Sequence, residues 1–509
     1  MKRLIAILLL TSLLCGCAAT QTPSVPKETK LQIEQEVLPG GVWVQTDYSQ
    51  YAPQENLETK YTRLSPEFIS ELQPSDDYGM LYPFVGNLVA TDYGAYDVKY
   101  GLVDESGRIV VDAVYTHVTP VSYDYEYEGP QLPIWVLEKT VQSALAPRRI
   151  CAIAGFDGSF VTEPIYSNVY AYEDYILGFY YDEKDRRMVH VFDQNGKLCL
   201  DSSAWSIFAQ DQNSAVNTSG GFFGVISYGS DRFEVSLTDG TYYLDWDGNI
   251  VCGPYVYGNC FIDGYAEIAK ENYRYAFIDP DGNEMWDTEF SYVQDFQHGF
   301  ARGETVSGEQ ALISATDGIV LRCEGYSTSL AGSVFTVFSD SGYRCYSLNG
   351  DLIYEASSSQ YCEIYGDGKF LFDYEASTIR NLQTGKEWSI DNSEISWVDY
   401  YKELSRLCCF TYGKDFCYYV LDEDFNILRQ SDRCMEFIED PLTQKAYIYI
   451  GEEVPSICNA QLEVLFKKSG TNWSVFNDRI IGYDDLASYH YDMQGNLLFC
   501  YRYPIGIGD

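Results

Sequence analysis

The sequence predicts an all-β repeat protein, β-propeller-like with one or two rings of short sheets, or alternatively an open β-superhelix of hairpins. Three observations carry this. An alternating apolar and polar run ending in an Asp/Asn-rich turn with glycine, best seen in YRYAFIDPDGN from Tyr273 to Asn283, recurs down the chain. Its period is mostly in the mid-thirties of residues, which is the signature of a repeat architecture. Tyrosine is abundant, at 46 of 509 residues, as suits strands with amphipathic faces.

Aligned on the turn, the copies are YGLVDESGRIV at Gly107, ICAIAGFDGSFV at Gly158, VHVFDQNGKLC at Gly196, YYLDWDGNIV at Gly248 and YAFIDPDGNEM at Gly282. Weaker copies follow at Gly318, Gly350, Gly385, Asn426, Gln461 and Gly495, making eleven. Successive anchors lie 51, 38, 52, 34, 36, 32, 35, 41, 35 and 34 positions apart, so the first and third intervals contain insertions. Two short alternating runs around Asp/Asn/Gly read as a hairpin, because glycine accepts positive φ and Asx side chains bond back to the turn backbone. A second half follows some anchors: Tyr255, Phe261, Gly264 and Ala266 after Gly248, and Tyr292, Val293, Phe296, Gly299 and Ala301 after Gly282. A full unit is therefore a hairpin plus another pair of short strands. Closing such units into a ring removes the bare sheet edges that an open array would leave.

Four regions follow in order. Residues 1–16 read as a lipoprotein signal peptide: Lys2 and Arg3 precede an apolar run from Leu4 to Leu14, too short for a comfortable membrane span. Leu14-Cys15-Gly16-Cys17 resembles a bacterial lipobox, which implies cleavage before Cys17 and a lipid on its sulfur. Residues 17–38 are the lipidated cysteine and a polar, Pro-containing tether. Residues 39–83 form a lead-in with a strand-like GVWVQTDYSQY and a helix start at Ser65-Pro66, where Ser65 can cap and Pro66 can take the first helical position. Residues 84–509 are the repeat region.

The unit resembles the WG-containing repeat of bacterial proteins, roughly Trp-Gly-hydrophobic-Ile-Asp-x-x-Gly-x-hydrophobic, then Tyr, then Phe-x-x-Gly-hydrophobic-Ala. Tyr100 and Gly101 occupy the paired first positions in one unit and Tyr275 with Ala276 in another, while the Trp is missing throughout. The resemblance implies no catalytic residue.

Composition narrows the function. The formal net charge is −41, and a field of that sign repels phosphate backbones and anionic headgroups. Nucleic acid is therefore not an expected partner, and membrane attachment is expected through the lipid alone. Removing Cys15 and lipidating Cys17 leaves 13 of the 15 cysteines, an odd number spread singly along strands. They read as buried free thiols, with Cys199 and Cys252 placed to face a core.

No cofactor or metal is expected. Asp245-Trp-Asp247-Gly248-Asn249 and Asp279-Pro-Asp281-Gly282-Asn283 resemble the start of a calcium loop, but position twelve is Val256 or Phe290 instead of a bidentate Glu. Turn chemistry accounts for the same residues. The four histidines are far apart and no CxxC, HExxH or GxSxG occurs, so no catalytic residue is assigned. Aromatics beside carboxylates are the candidate ligand-binding residues: Tyr123, Tyr125 and Tyr127 in the first long interval, and Tyr170, Tyr172 and Tyr175 between Gly158 and Gly196. Such residues can stack on a sugar or hold a basic peptide; as edge strands, they would simply discourage aggregation. The expected function is a lipid-anchored cell-surface module that binds or scaffolds a protein or glycan. The alternative is an exported enzyme of glycoside-hydrolase type on a propeller scaffold.

Overall fold

The computed structural model describes residues 42–44, 71–75, 77–90, 96–123, 131–141, 148–210, 224–270, 274–286, 290–357, 362–390, 393–413, 417–451, 454–468, 472–483 and 487–502. The chain divides into residues 1–39 and 40–509. The signal, Cys17, the tether and Ser65-Pro66 lie outside the described residues.

The described residues among 40–509 are built almost entirely from strands, in eleven antiparallel units lying within 82–115, 117–155, 168–201, 224–255, 257–278, 290–323, 327–356, 362–388, 393–431, 435–467 and 472–502. Most units have four strands in sequence order. In the second and fifth, single bridges, Ala154 to Val161 and Ile278 to Glu284, stand in for the last strand. The first unit has three strands. Val42–Val44 adds a parallel fifth strand to the eleventh, with Val42 opposite Phe499 and Val44 opposite Tyr501.

Each anchor turn joins the last two strands of its unit, or the last strand and the bridge that follows it. In the fifth unit Asp279 Oδ1 accepts from the backbone N–H of Asp281 at 3.0 Å and of Asn283 at 2.8 Å, while Gly282 adopts φ +82°. The Asn283 side-chain amide, donating to Asp279 Oδ2 at 2.9 Å, holds the Asp279 carboxyl below its ordinary range together with these backbone bonds, although burial opposes them. Asp245 is engaged in the same way by Asp247 and Asn249, so the turn reading of both loops holds. Gly107, Gly158, Gly196, Gly248, Gly318, Gly350, Gly385 and Gly495 also have positive φ. Two anchors need correction by one place. The left-handed residue of the ninth unit is Phe425 at φ +66°, not Asn426, and that of the tenth is Leu462 at φ +64°, not Gln461. Asp422 and Asn459 still accept the two turn N–H groups there, so the side-chain cap holds the bend without glycine.

The turn also interlocks neighbours. A Cβ at Gly282 would lie 2.5 Å from Cys252 Cβ of the preceding unit, and one at Gly196 would lie 2.2 Å from the Phe160 ring of the preceding unit. Glycine is required there by contact as well as by φ.

Because neighbours flank most units, a strand in the middle of a unit can be buried on both faces. Gln310–Ser314 is buried at every residue, whereas Phe300–Thr305 alternates. Contacts run from unit to unit and return: Asn477 Nδ2 of the eleventh donates to Tyr82 Oη of the first at 3.0 Å, and the Arg479 guanidinium sits 3.8 Å from the Tyr82 ring centre. The eleven units thus close one circuit. Across the same seam, Trp135 of the second unit meets Phe156 at 4.4 Å and Phe476 of the eleventh at 4.8 Å between ring centres. Burying a large side chain of this kind contributes about 1.5–3 kcal/mol.

Cys151, Cys345, Cys362, Cys408, Cys409 and Cys417 are buried free thiols. Cys199 is instead exposed and Cys252 half-buried, because both lie on the last strand of a unit, at the sheet edge.

Candidate functional site

The site is built by three consecutive units that place polar groups where most of the others are apolar. Counting from the first residue paired after the opening turn, the third residue of the second strand is Leu177, Phe372, Cys408, Ile448 and Ile481 in the third, eighth, ninth, tenth and eleventh units. In the fourth, fifth and sixth it is Glu234, Glu267 and Arg302. Each has a polar partner on the first strand of its own unit or one residue past it. Ser227 Oγ donates to Glu234 Oε2 at 2.6 Å, Asn259 Nδ2 to Glu267 Oε2 at 3.3 Å, and Arg302 Nε to Gln294 Oε1 at 2.6 Å.

Asn259 also crosses to the next unit, where its Nδ2 donates to Asp295 Oδ1 at 3.4 Å. One amide nitrogen therefore serves two carboxyl groups from different units. Its Oδ1 accepts from the Tyr257 hydroxyl, and its backbone carbonyl accepts from the Tyr243 hydroxyl at 2.7 Å. The amide is pinned on every side, which fixes the spacing of the two acids.

Burial dominates the electrostatics. It pushes the Glu234 carboxyl up to about 7, against the Ser227 hydrogen bond and the nearby Arg187 guanidinium. Glu267 is pushed up to about 8 by burial and by the Asp295 charge, and Asp295 itself is raised by burial. The Tyr257 phenol is pushed up to about 12 by burial and by the charges of Glu267, Glu234 and Asp295. That hydroxyl therefore feels all three carboxyl groups. Groups poised this way near neutral pH can donate a proton or hydrogen bond, or take a cation.

Two tyrosines give the site an outer surface. Tyr257 and Tyr292 each lie opposite the fifth residue of the second strand, Ala269 and Glu304, so they occupy one register position in adjacent units. They are 45% and 47% exposed, far more than a core ring. The Tyr292 hydroxyl accepts from Gln294 Nε2. Among the described residues no group of three or more His, Cys, Asp or Glu is arranged to hold a metal.

The tyrosines singled out from sequence fare differently. Tyr170 and Tyr172 are buried, at 6% and 9% exposure, because the first strand of the third unit is packed on both faces. Tyr170 stacks on Phe179, and the Tyr172 hydroxyl accepts from the Ser230 N–H at 2.9 Å. Tyr175 packs half-buried against Trp246, and Tyr123 is half-buried beside Ala171. Tyr125 and Tyr127 lie outside the described residues. Sequence reasoning missed Glu234, Glu267 and Asp295. The available signal was the alignment of units, which puts Glu234 and Glu267 at one apolar position.

Among solved structures, the chain is similar to a eukaryotic initiation factor at 11% identity and TM-score 0.36, over 83% of this chain and 96% of that one. It is also similar to BamB from Moraxella catarrhalis at 10% identity and TM-score 0.27, over 64% and 94%. A beta-propeller domain from Myceliophteria thermophila matches at 10% identity and TM-score 0.20, over 44% and 90%. No curated protein sequence matches the chain significantly. The model of the WG-containing repeat matches residues 100–125 and 275–302, the strands and turns of the first and second units and of the fifth and sixth. The chain therefore carries WG-containing repeats, arranged in a β-propeller-like array.

Proposed function

We propose that this protein is a lipid-anchored bacterial cell-surface module that binds a glycan at the face carrying Tyr257 and Tyr292. The observation that supports it is the pair of exposed tyrosines at one register position in adjacent units, set beside Glu267, Asp295 and Asn259. Flat rings spaced by one unit offer stacking surfaces, and the carboxyl and amide groups beside them offer hydrogen bonds to sugar hydroxyls. A repeat array supports a binding or scaffolding role in general. The anchor rests on Leu14-Cys15-Gly16-Cys17.

A second reading, an exported enzyme of glycoside-hydrolase type, draws on Glu267 and Asp295 sharing one amide, since such enzymes work with two carboxyl groups flanking the scissile bond. One experiment separates the two. Purified protein is incubated with a panel of soluble bacterial envelope and plant polysaccharides, and both retention and new reducing ends are measured. Binding without cleavage, weakened about tenfold or more in Tyr292→Ala, supports the module; each 1.4 kcal/mol of lost stacking is tenfold in affinity. New reducing ends that vanish in Glu267→Gln would replace it with the enzyme. Retention unchanged by Tyr257→Ala and Tyr292→Ala together would refute the face.

A further inference from the structure

The contact between the seventh and eighth units contains a pair of thiols that the binding face does not use. Cys345 lies on the third strand of the seventh unit, Gly342–Ser347, and Cys362 opens the first strand of the eighth, Cys362–Tyr365. They are 0% and 2% exposed and share one apolar cluster with Val334, Phe338, Tyr343 and Leu371. Their thiols are hydrogen-bonded to each other across the boundary between units. Thr336 Oγ1 lies 3.6 Å from Cys345 Sγ. The same boundary is pinned by Tyr343 Oη, which donates to Asp373 Oδ2 at 2.7 Å, so the two strands are held in place independently of the cysteines.

We propose that Cys345 and Cys362 form an oxidisable dithiol, converted by a small-molecule disulfide into a covalent link between the seventh and eighth units. Two thiols within hydrogen-bonding reach in one buried cluster, on strands already pinned together by Tyr343 and Asp373, meet the first requirement of a disulfide, that no large backbone movement is needed. The hydrogen bonding is asymmetric and supports the assignment. Cys345, receiving hydrogen bonds from Cys362 and Thr336, is held below its ordinary range, while Cys362 is pushed above it. Cys345 is therefore the sulfur that attacks as thiolate.

The step balances as thiol–disulfide exchange. Cys345 thiolate displaces one thiolate from the external disulfide and becomes mixed with its other half. Cys362, losing its proton to the departing thiolate, then attacks Cys345 Sγ and expels the second half. The protein loses two hydrogens, and one disulfide becomes two thiols. Because both sulfurs are buried, exchange requires a transient opening of this boundary.

The inference is independent of the glycan reading, and its test uses the purified protein. The protein is held in a glutathione redox buffer containing urea below the unfolding transition, then denatured and alkylated, and its peptides are mass-measured without reduction. The expected product is a peptide joining Cys345 to Cys362, two hydrogens lighter than the sum of its parts, which a dithiol reductant removes. A rise in melting temperature of about 1–4 °C should accompany it and disappear on reduction. The proposal is overturned if both residues stay fully alkylatable when exposed Cys199 has been glutathionylated, or if cross-links form only elsewhere. The double variant Cys345→Ser, Cys362→Ser should show no such rise; if it does not fold, the peptide measurement on the native sequence still decides.

Discussion

Glu267→Gln should make the protein more stable at alkaline pH and leave it nearly unchanged in mild acid. Folded Glu267 holds its proton to about 8, against a carboxyl near 4.5 in an unfolded chain. Between those values the folded state carries one proton more than the unfolded state at this site. Unfolding free energy then falls as pH rises, by up to about 1.4 kcal/mol per pH unit. The contribution is fully present below 4.5 and gone above 8. Glu267 is buried, with a relative exposure of 7%, so solvent screening discounts this only in part. From pH 5.5 to pH 7.5, roughly 1–3 kcal/mol of native stability should be lost through this group. Glutamine keeps the shape and an acceptor for Asn259 Nδ2 but does not titrate. The difference between variant and native protein should therefore grow from near zero at pH 5 to about 1–3 kcal/mol in favour of the variant at pH 8. Urea unfolding followed by tryptophan fluorescence at several pH values measures it. Taking the difference removes the self-repulsion of a chain with net charge −41, which also changes with pH. A difference flat across this range, or one growing in favour of the native protein, would show that Glu267 is already ionised and would refute the reasoning.

Three further outcomes are expected. Gly282→Ala should cost about 2–4 kcal/mol, because its Cβ meets Cys252 Cβ at 2.5 Å and the backbone sits at φ +82°, whereas Gly385→Ala, at φ +73° with nothing within 4 Å, should cost only about 1 kcal/mol; urea midpoints compare them. Arg479→Ala should lower stability by about 1–2 kcal/mol by removing the guanidinium from the Tyr82 ring, and hydrogen exchange should show the added opening concentrated in the first and eleventh units. Cys17→Ser should move the protein from the membrane fraction to the medium and abolish labelling by a fatty-acid analogue; full labelling retained would remove the anchor from the proposal.

What sequence revealed and what it hid divide by the range of the interactions. The Asp279 to Asn283 turn is closed by bonds spanning two and four residues, so its chemistry is local and visible. The same locality explains the slip at Phe425 and Leu462: the search was for glycine, while Asp422 and Asn459 impose the bend on residues that seldom adopt it. The number of units was legible because each carries one such turn. Their closure was not, because it depends on Tyr82, Asn477 and Arg479, which lie at opposite ends of the array. The site was hidden for a related reason. Glu234, Glu267 and Asp295 come from three units and look like surface acids in a chain with 75 of them. Tyr170 and Tyr172 misled because local aromatic density does not distinguish a ring packed between two sheets from one facing water.

The strand Val42–Val44 has a mechanical meaning. It is the first described element of the chain and is held to Leu497–Arg502 by a ladder of three registered pairs. A pull applied through the N-terminus loads this short ladder before it reaches the first unit. Its release lengthens the chain between the proposed lipid anchor and the circuit while Tyr82, Asn477 and Arg479 still hold the seam shut. The strand would thus work as a fuse, yielding slack under tension and sparing the ring behind it.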